Sequence, residues 1–133
     1  MKANIGVFLG VEPSGGAANS LETANVYSTS GSAISVAAGR LSFTLGLVGP
    51  CFSIDTACAS TLAALHVGAS ALERGECPSA IGAGTKVLTE AGNLATSIAG
   101  MVSARGRCHT FDEHADGYVR GEGCGAFLLV ASS

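Results

Sequence analysis

Charge is scarce in this chain. Only 13 % of its 133 residues are Asp, Glu, Lys or Arg, about half the share usual for a free-standing globular domain. The basic residues form no run and the formal net charge is -3, so the footprint that nucleic acid or an acidic membrane surface requires is missing. No stretch approaches the roughly 18 apolar residues needed to cross a bilayer. The opening MKANIGVFLGV has one lysine and an apolar run broken by Asn4 and Gly6, with no small-residue cleavage site behind it; it is a poor secretion signal. There is no C-x-x-C pair, and no two histidines are spaced as ligands on one helix, so no metal site is expected. The five cysteines, Cys51, Cys58, Cys77, Cys108 and Cys124, are odd in number and irregularly spaced. Without a secretion signal they read as reduced thiols of a cytoplasmic protein, not as a disulfide framework.

What the chain has is apolar bulk and glycine. Hydrophobic residues make up 47 % and Gly supplies 19 positions, a composition that folds around a buried core. The length suits one domain, residues 1–133, with no linker or internal repeat. Low surface charge predicts that much of the surface is covered by something else, either a second chain or the rest of a longer one.

Apolar runs and helical spacing alternate along the sequence. NIGVFLGV (4–11) reads as a buried strand. A helix is predicted from Ser32 to Leu45, with Ser and Gly cap candidates before it, Ile34, Ala37, Ala38, Leu41 and Leu45 on its apolar face and Arg40 on its polar side. CFSIDT follows as a strand. ASTLAALHVGASALERGE then reads as a helix with Leu62, Leu65, Ala69 and Leu72 on one face and Gly75 as its stop. SAIGAGTKVL reads as a strand, TEAGNLATSIAGMVS as a short irregular helix, residues 104–123 as a Gly-rich loop, and CGAFLLVAS as a closing strand. The alternation predicts a layered α/β fold.

DTACAS (55–60) stands at the handover from the second strand to the second helix. If the helix begins near Cys58, the sulfur lies over backbone N–H groups and a dipole that favour an anion by about 0.3–1 kcal/mol. A thiolate there is a nucleophile suited to acyl transfer, and the same N–H groups can hold the oxyanion that forms on a thioester. Burial as a small packing residue is the alternative reading of Cys58. A base must come from elsewhere. His66, eight residues on, is about 12 Å along the helix and about 80° around it, out of reach; it reads as a satisfied helix histidine. His109 and His114 lie in the Gly-rich loop, where a solvated position is the simpler reading.

GPCFSIDTACASTLAALHVGASALERGEC, AGRLSFTLGL before it and GRCHTFDEHADGYVRGEGCGAFLL after it together resemble, in order and spacing, the N-terminal portion of the β-ketoacyl synthases, in particular the ketosynthase domains of modular or type I polyketide synthases. With GVFLG near the start, these blocks span nearly the whole chain. The resemblance implies the N-terminal half of a thiolase-like fold, whose complete form is a five-layered αβαβα structure and a homodimer. It implies that Cys58 accepts an acyl group from the phosphopantetheine arm of an acyl carrier protein, or from coenzyme A, for decarboxylative Claisen condensation in polyketide or fatty-acid synthesis. No bound cofactor is implied beyond that phosphopantetheine-linked substrate. The Cys58 N–H is the implied oxyanion donor. The family's two catalytic histidines and lysine belong to later blocks, HGTGT among them, that these 133 residues do not contain. His66, His109 and His114 therefore take none of those roles, and this chain alone is not expected to complete condensation.

Ala59, Thr61, Cys51, Thr85, Lys86 and Arg105 depart from the family pattern, which bears on partner or substrate preference more than on reaction class. Two rivals stay open: a coenzyme A-dependent thiolase or chalcone synthase-like enzyme, and a catalytically dead half-domain that serves folding or dimerisation. RGEGCG lacks the strand-then-helix context of a dinucleotide loop, since an apolar strand follows it. Asp112, Glu113, Asp116 and Glu122 are expected to cap turns and to pair with Arg107 and Arg120. Phe111 and Tyr118 are expected to anchor the loop.

Overall fold

The computed structural model describes residues 2–13, 30–31 and 33–131. Of these, residues 2–13, 30–31, 33–85 and 124–131 make one compact unit and residues 86–123 a second. The first unit holds a four-stranded sheet of β1 (Ile5–Val11), β2 (Cys51–Ile54), β3 (Ser79–Lys86) and β4 (Gly123–Val130), in the order β2-β1-β3-β4. β1 is parallel to both β2 and β3. Its unbroken apolar run follows from that place: a strand with parallel neighbours on both sides is covered on both faces, and Gly6 to Gly10 are all buried.

Parallel neighbours require crossovers, and α1 (Ala37–Leu45) and α2 (Ser60–Glu73) provide them. The chain steps from β1 outward to β2, then back across β1 to β3. Right-handed crossovers in opposite directions put their helices on opposite faces of a sheet. The core divides accordingly. Val7, Leu9 and Ala83 pack with Ala38 of α1, whereas Phe8 and Ala80 pack with Ala64 and Ala71 of α2. The result is a three-layered αβα unit.

Both helices differ from the sequence expectation. α1 proper begins at Ala37, after a single 3-10 turn over Ile34–Val36, and neither start has a side-chain cap; Ser32 is outside the described residues. The cap comes from the sheet instead, where the Ser53 hydroxyl of β2 accepts the Ala38 N–H at 3.0 Å. α2 buries Ser60, Ala64, Gly68 and Ala71, a stripe of small residues, while Leu62 is 71 % exposed and Ala69 is also exposed. The sheet dictates this choice. Ala80, Gly82 and Gly84 line the facing side of β3, and the room they leave is taken by Leu65, which lies over Gly82, while Leu72 packs on the core, so these two expected positions hold. A Cβ at Gly84 would overlap the Thr61 hydroxyl. α2 ends as expected: the Gly75 and Glu76 amides close back on Leu72 and Ala71, with Gly75 at a φ of +70°.

Apolar side chains also reach solvent, as the low charge predicts. Phe43 of α1 and Phe127, Leu128 and Val130 of β4 are all exposed. An apolar groove of about 730 Å³ runs between α1 and the sheet, bordered by Leu9, Leu41, Leu45, Ile81 and Ala126.

In the second unit, α3 (Glu90–Ile98) is a regular nine-residue helix, more ordered than expected. Thr89 caps it, its hydroxyl accepting the Gly92 N–H at 3.2 Å. The loop that follows is held by a bridge between Val102 and Tyr118 and by a polar knot. Ser103, buried, donates to Asp116 at 2.7 Å, and Arg105 reaches the other Asp116 oxygen at 3.2 Å and the His114 carbonyl. The ion pair therefore forms with Arg105, not with Arg107 or Arg120. Arg120 bonds Asn93, and Glu122 accepts the Leu88 N–H. Asp112 does cap a turn, accepting the His114 N–H at 2.7 Å. Phe111 anchors nothing: it is fully exposed, at a φ of +65°.

Candidate active site

In an open α/β sheet, ligands collect outside the carboxyl ends of the strands, where successive connections leave for opposite faces. Here β1 leads to α1 on one face of the sheet and β2 leads to α2 on the other. β2 ends at Ile54, opposite Gly10 of β1, and the next residues are Asp55 to Ser60. Cys58 therefore lies beyond the carboxyl end of β2, beside that of β1.

The local chain makes an elbow. Ala57 has a φ of +54°, a left-handed conformation that costs an L-residue about 1–2 kcal/mol. α2 cannot start before the chain leaves that conformation, so its first residue is Ser60, with Ala59 as N-cap, two positions later than expected. Cys58 thus stands just ahead of the helix, exposed, at the tip of the turn. Three hydrogen bonds hold this shape: Asp55 Oδ1 accepts the Ala57 N–H at 3.0 Å, Ser60 Oγ accepts the Thr56 N–H at 2.9 Å, and Ser60 Oγ donates to the Ala57 carbonyl at 2.6 Å. At about 1 kcal/mol each, such bonds together outweigh the backbone strain.

Those bonds also sort the amides. Thr56 and Ala57 donate to the side chains just named, while Ala59 and Ser60 donate to the carbonyls of Thr56 and Ala57. The Cys58 N–H enters none of these bonds. Among the described residues it carries no other hydrogen bond, although a backbone bridge joins Cys58 to Thr56, and it lies beside the elbow's exposed thiol.

The elbow is seated on glycine. A Cβ at Gly10 would fall 2.5 Å from the Ser60 carbonyl carbon and 2.6 Å from the Thr61 nitrogen, so the start of α2 lies directly on the end of β1. Neither Gly10 nor Ser60 was expected to bear on the site. The signal in the sequence was Asp55 two residues before Ala57 and Ser60 four after Thr56, the spacing of side chains that fold back on a turn.

The other sequence candidates stay apart from this arrangement or in local bonds. His66 is exposed on α2. His114 bonds Asp112 in the second unit, and the His109 Nε2 is buried without a partner among the described residues. All five cysteines are unpaired, and only Cys77 is buried. No His, Cys, Asp or Glu cluster among the described residues could hold a metal ion, and no described helix is long and apolar enough to cross a membrane.

Comparison with known proteins points the same way. The model of the β-ketoacyl synthase N-terminal domain matches residues 1–133. Among curated relatives, 3-methylorcinaldehyde synthase of Phoma sp. is 43 % identical over 128 residues, 95 % of this chain and 5 % of that protein. A mycocerosic acid synthase-like polyketide synthase of Mycolicibacterium smegmatis is 43 % identical over 104 residues, 77 % of this chain and 5 % of its own length. Among solved structures, the ketosynthase from module 6 of the bacillaene synthase from Bacillus subtilis 168 superposes with a TM-score of 0.80 at 34 % identity, covering 98 % of this chain and 22 % of that one. The chain therefore spans a small part of each relative, and its architecture is the N-terminal part of a thiolase-like fold.

Proposed function

The chain belongs to the family of β-ketoacyl synthase N-terminal domains, and from that premise we propose that it is the acyl-accepting part of a polyketide-synthase ketosynthase, with Cys58 as the nucleophile. The Cys58 sulfur attacks the carbonyl carbon of an acyl thioester presented on the phosphopantetheine arm of an acyl carrier protein. The negative charge that develops on the carbonyl oxygen is met by the Cys58 N–H. The carbon–sulfur bond to pantetheine breaks, the pantetheine thiol leaves with the proton, and the acyl group stays on Cys58. In the complete enzyme a malonyl-type extender loses carbon dioxide, and its carbanion takes that acyl group, freeing the thiolate. The family resemblance supports carrier-protein delivery, a homodimeric domain and a cytoplasmic setting.

The observation that carries this reading is the elbow itself, which presents an exposed thiol next to the one elbow amide not committed to its internal bonds. The test is competitive acylation by S-acetyl-pantetheine, an acyl thioester whose reaction passes through an oxyanion, read by peptide mass mapping. Cys58 is expected to react at least about tenfold faster than Cys51, Cys108 and Cys124, a modest share of the roughly 100-fold that one oxyanion donor contributes in a complete site. The preference should vanish in urea. Equal rates at the four exposed cysteines in the folded chain would sink the nucleophile reading. They would favour the second one, a half-domain serving only assembly, to which the exposed Phe43, Phe127 and Leu128 lend support.

A further inference from the structure

We propose that Ser60 is a positioning residue for acyl transfer at Cys58, acting through the backbone on either side of it; this rests on the nucleophile reading above. Ser60 is buried, and its main chain lies against Gly10 of the central strand. From that fixed seat its hydroxyl reaches back over Cys58 to both flanks of the elbow, accepting from the Thr56 N–H at 2.9 Å and donating to the Ala57 carbonyl at 2.6 Å. The Ala57 carbonyl belongs to the same peptide unit as the Cys58 N–H. A bond that fixes the direction of that carbonyl therefore fixes, in the opposite sense, the direction of the N–H, because the peptide unit is planar. Ser60 thus aims the oxyanion donor without touching the substrate. Asp55 supports the same turn from its exposed side but bonds the preceding amide; the Ala57 carbonyl is held by Ser60, through its hydroxyl at 2.6 Å and more loosely through its own N–H at 3.1 Å.

A role in aiming the amide makes a distinction that a role in stability does not. Acyl transfer passes through a tetrahedral oxyanion and needs the aimed donor; alkylation by iodoacetamide displaces iodide and forms no oxyanion. The two reactions are compared at Cys58 in the 133-residue chain, using acetyl-N-acetylcysteamine as acyl donor and peptide mass mapping as readout. Ser60→Ala is expected to slow acylation about tenfold, on the scale that small misplacements cost, with alkylation changed less than about twofold. Ser60→Thr, which keeps a hydroxyl, should recover most of the acylation rate. Ser60→Val has the shape of threonine without the hydroxyl and should behave as alanine does, so this pair decides the matter if the alanine variant does not fold.

Three results overturn the proposal. One is parental acylation by folded Ser60→Ala or by Ser60→Val. Another is a parallel fall in acylation and alkylation. The third is a series in which only hydroxyl-bearing variants fold, which assigns Ser60 to stability. Failure of the parent chain to acylate Cys58 ahead of its other cysteines is a separate outcome: it removes the nucleophile reading, and the Ser60 role with it.

Discussion

Replacing Gly10 by alanine tests the seat on which the candidate site rests. The new Cβ would meet the Ser60 carbonyl carbon at 2.5 Å, the Thr61 nitrogen at 2.6 Å and the Ser60 oxygen at 2.7 Å, where unstrained carbon contacts lie near 3.5–4.0 Å. About 1 Å of movement is needed. All three atoms are backbone, so no rotamer change relieves the clash. β1 is hydrogen-bonded to strands on both sides, so the yielding part is the start of α2. Overpacking of this kind costs about 1–3 kcal/mol, offset by about 0.4–1 kcal/mol from the reduced freedom of the unfolded chain. The net loss is about 1–2 kcal/mol. With a urea dependence of about 2 kcal/mol/M, the middle of the range for a small protein, the unfolding midpoint should fall by roughly 0.5–1 M.

The assay is urea titration followed by far-UV circular dichroism, with Gly121→Ala as the control. A Cβ at Gly121 meets nothing within 4 Å, so that variant should hold the midpoint or raise it slightly. A Gly10→Ala midpoint equal to that of Gly121→Ala would refute the reasoning, because the helix start would then have room to spare over the strand. Where the midpoint does fall, acylation of Cys58 should fall with it under native conditions, since the elbow moves with the helix.

Two predictions concern the second unit. The Asp116 carboxyl is held at about 2, below its ordinary 3.8, first by the Ser103 hydroxyl and then by Arg105. A depressed carboxyl stabilises the fold above its unfolded value, and that stability is lost as the pH falls from about 4 through about 2. Loop amides near Ser103 should lose exchange protection over that window, whereas Asp116→Asn should make protection independent of pH there. Thr89→Ala removes the hydroxyl that caps α3 and should cost about 1 kcal/mol, seen as a roughly fivefold loss of exchange protection at the first-turn amides. Thr89→Ser should not; an unchanged alanine variant would show that the cap is unimportant.

The strands were legible because β1 and β3 are covered on both faces, which leaves continuous apolar runs that need no pairing information to recognise. The glycine stop of α2 was legible for an equally local reason. The buried face of α2 was legible only in part: Leu65 and Leu72 do pack inward, but Leu62 and Ala69 do not. Its leucines have helical spacing, but what selects the buried stripe is the bulk on the opposing strand, and β3 offers Ala80, Gly82 and Gly84. Facing residues are a property of the sheet order, which the sequence states nowhere in one place. The partner of Asp116 escaped for a similar reason. Arg105 looked like a departure from the family pattern, and only the folding of residues 103–118 shows that it closes an ion pair. Cys58 was legible as a position; its elbow was not, because nothing in an alanine announces a left-handed φ.

That last difference changes which force matters at the candidate site. A thiol over the first turn of a helix gains about 0.3–1 kcal/mol from the macrodipole, and the sequence alone suggested that arrangement. With Ala57 left-handed and α2 starting at Ser60, Cys58 precedes the helix, and the dipole acts on it from just outside the first turn. A correctly aimed oxyanion donor in a closed site contributes about 2.7–4 kcal/mol to acyl transfer, several times more than the dipole does. This stronger stabilisation depends on the direction of one peptide unit. In this fold that direction is set by the hydroxyl and N–H of a serine on a helix start pressed against a glycine of the central strand. Lengthening or recharging α2 should therefore change Cys58 acylation little, whereas moving its first residue on β1 should change it strongly.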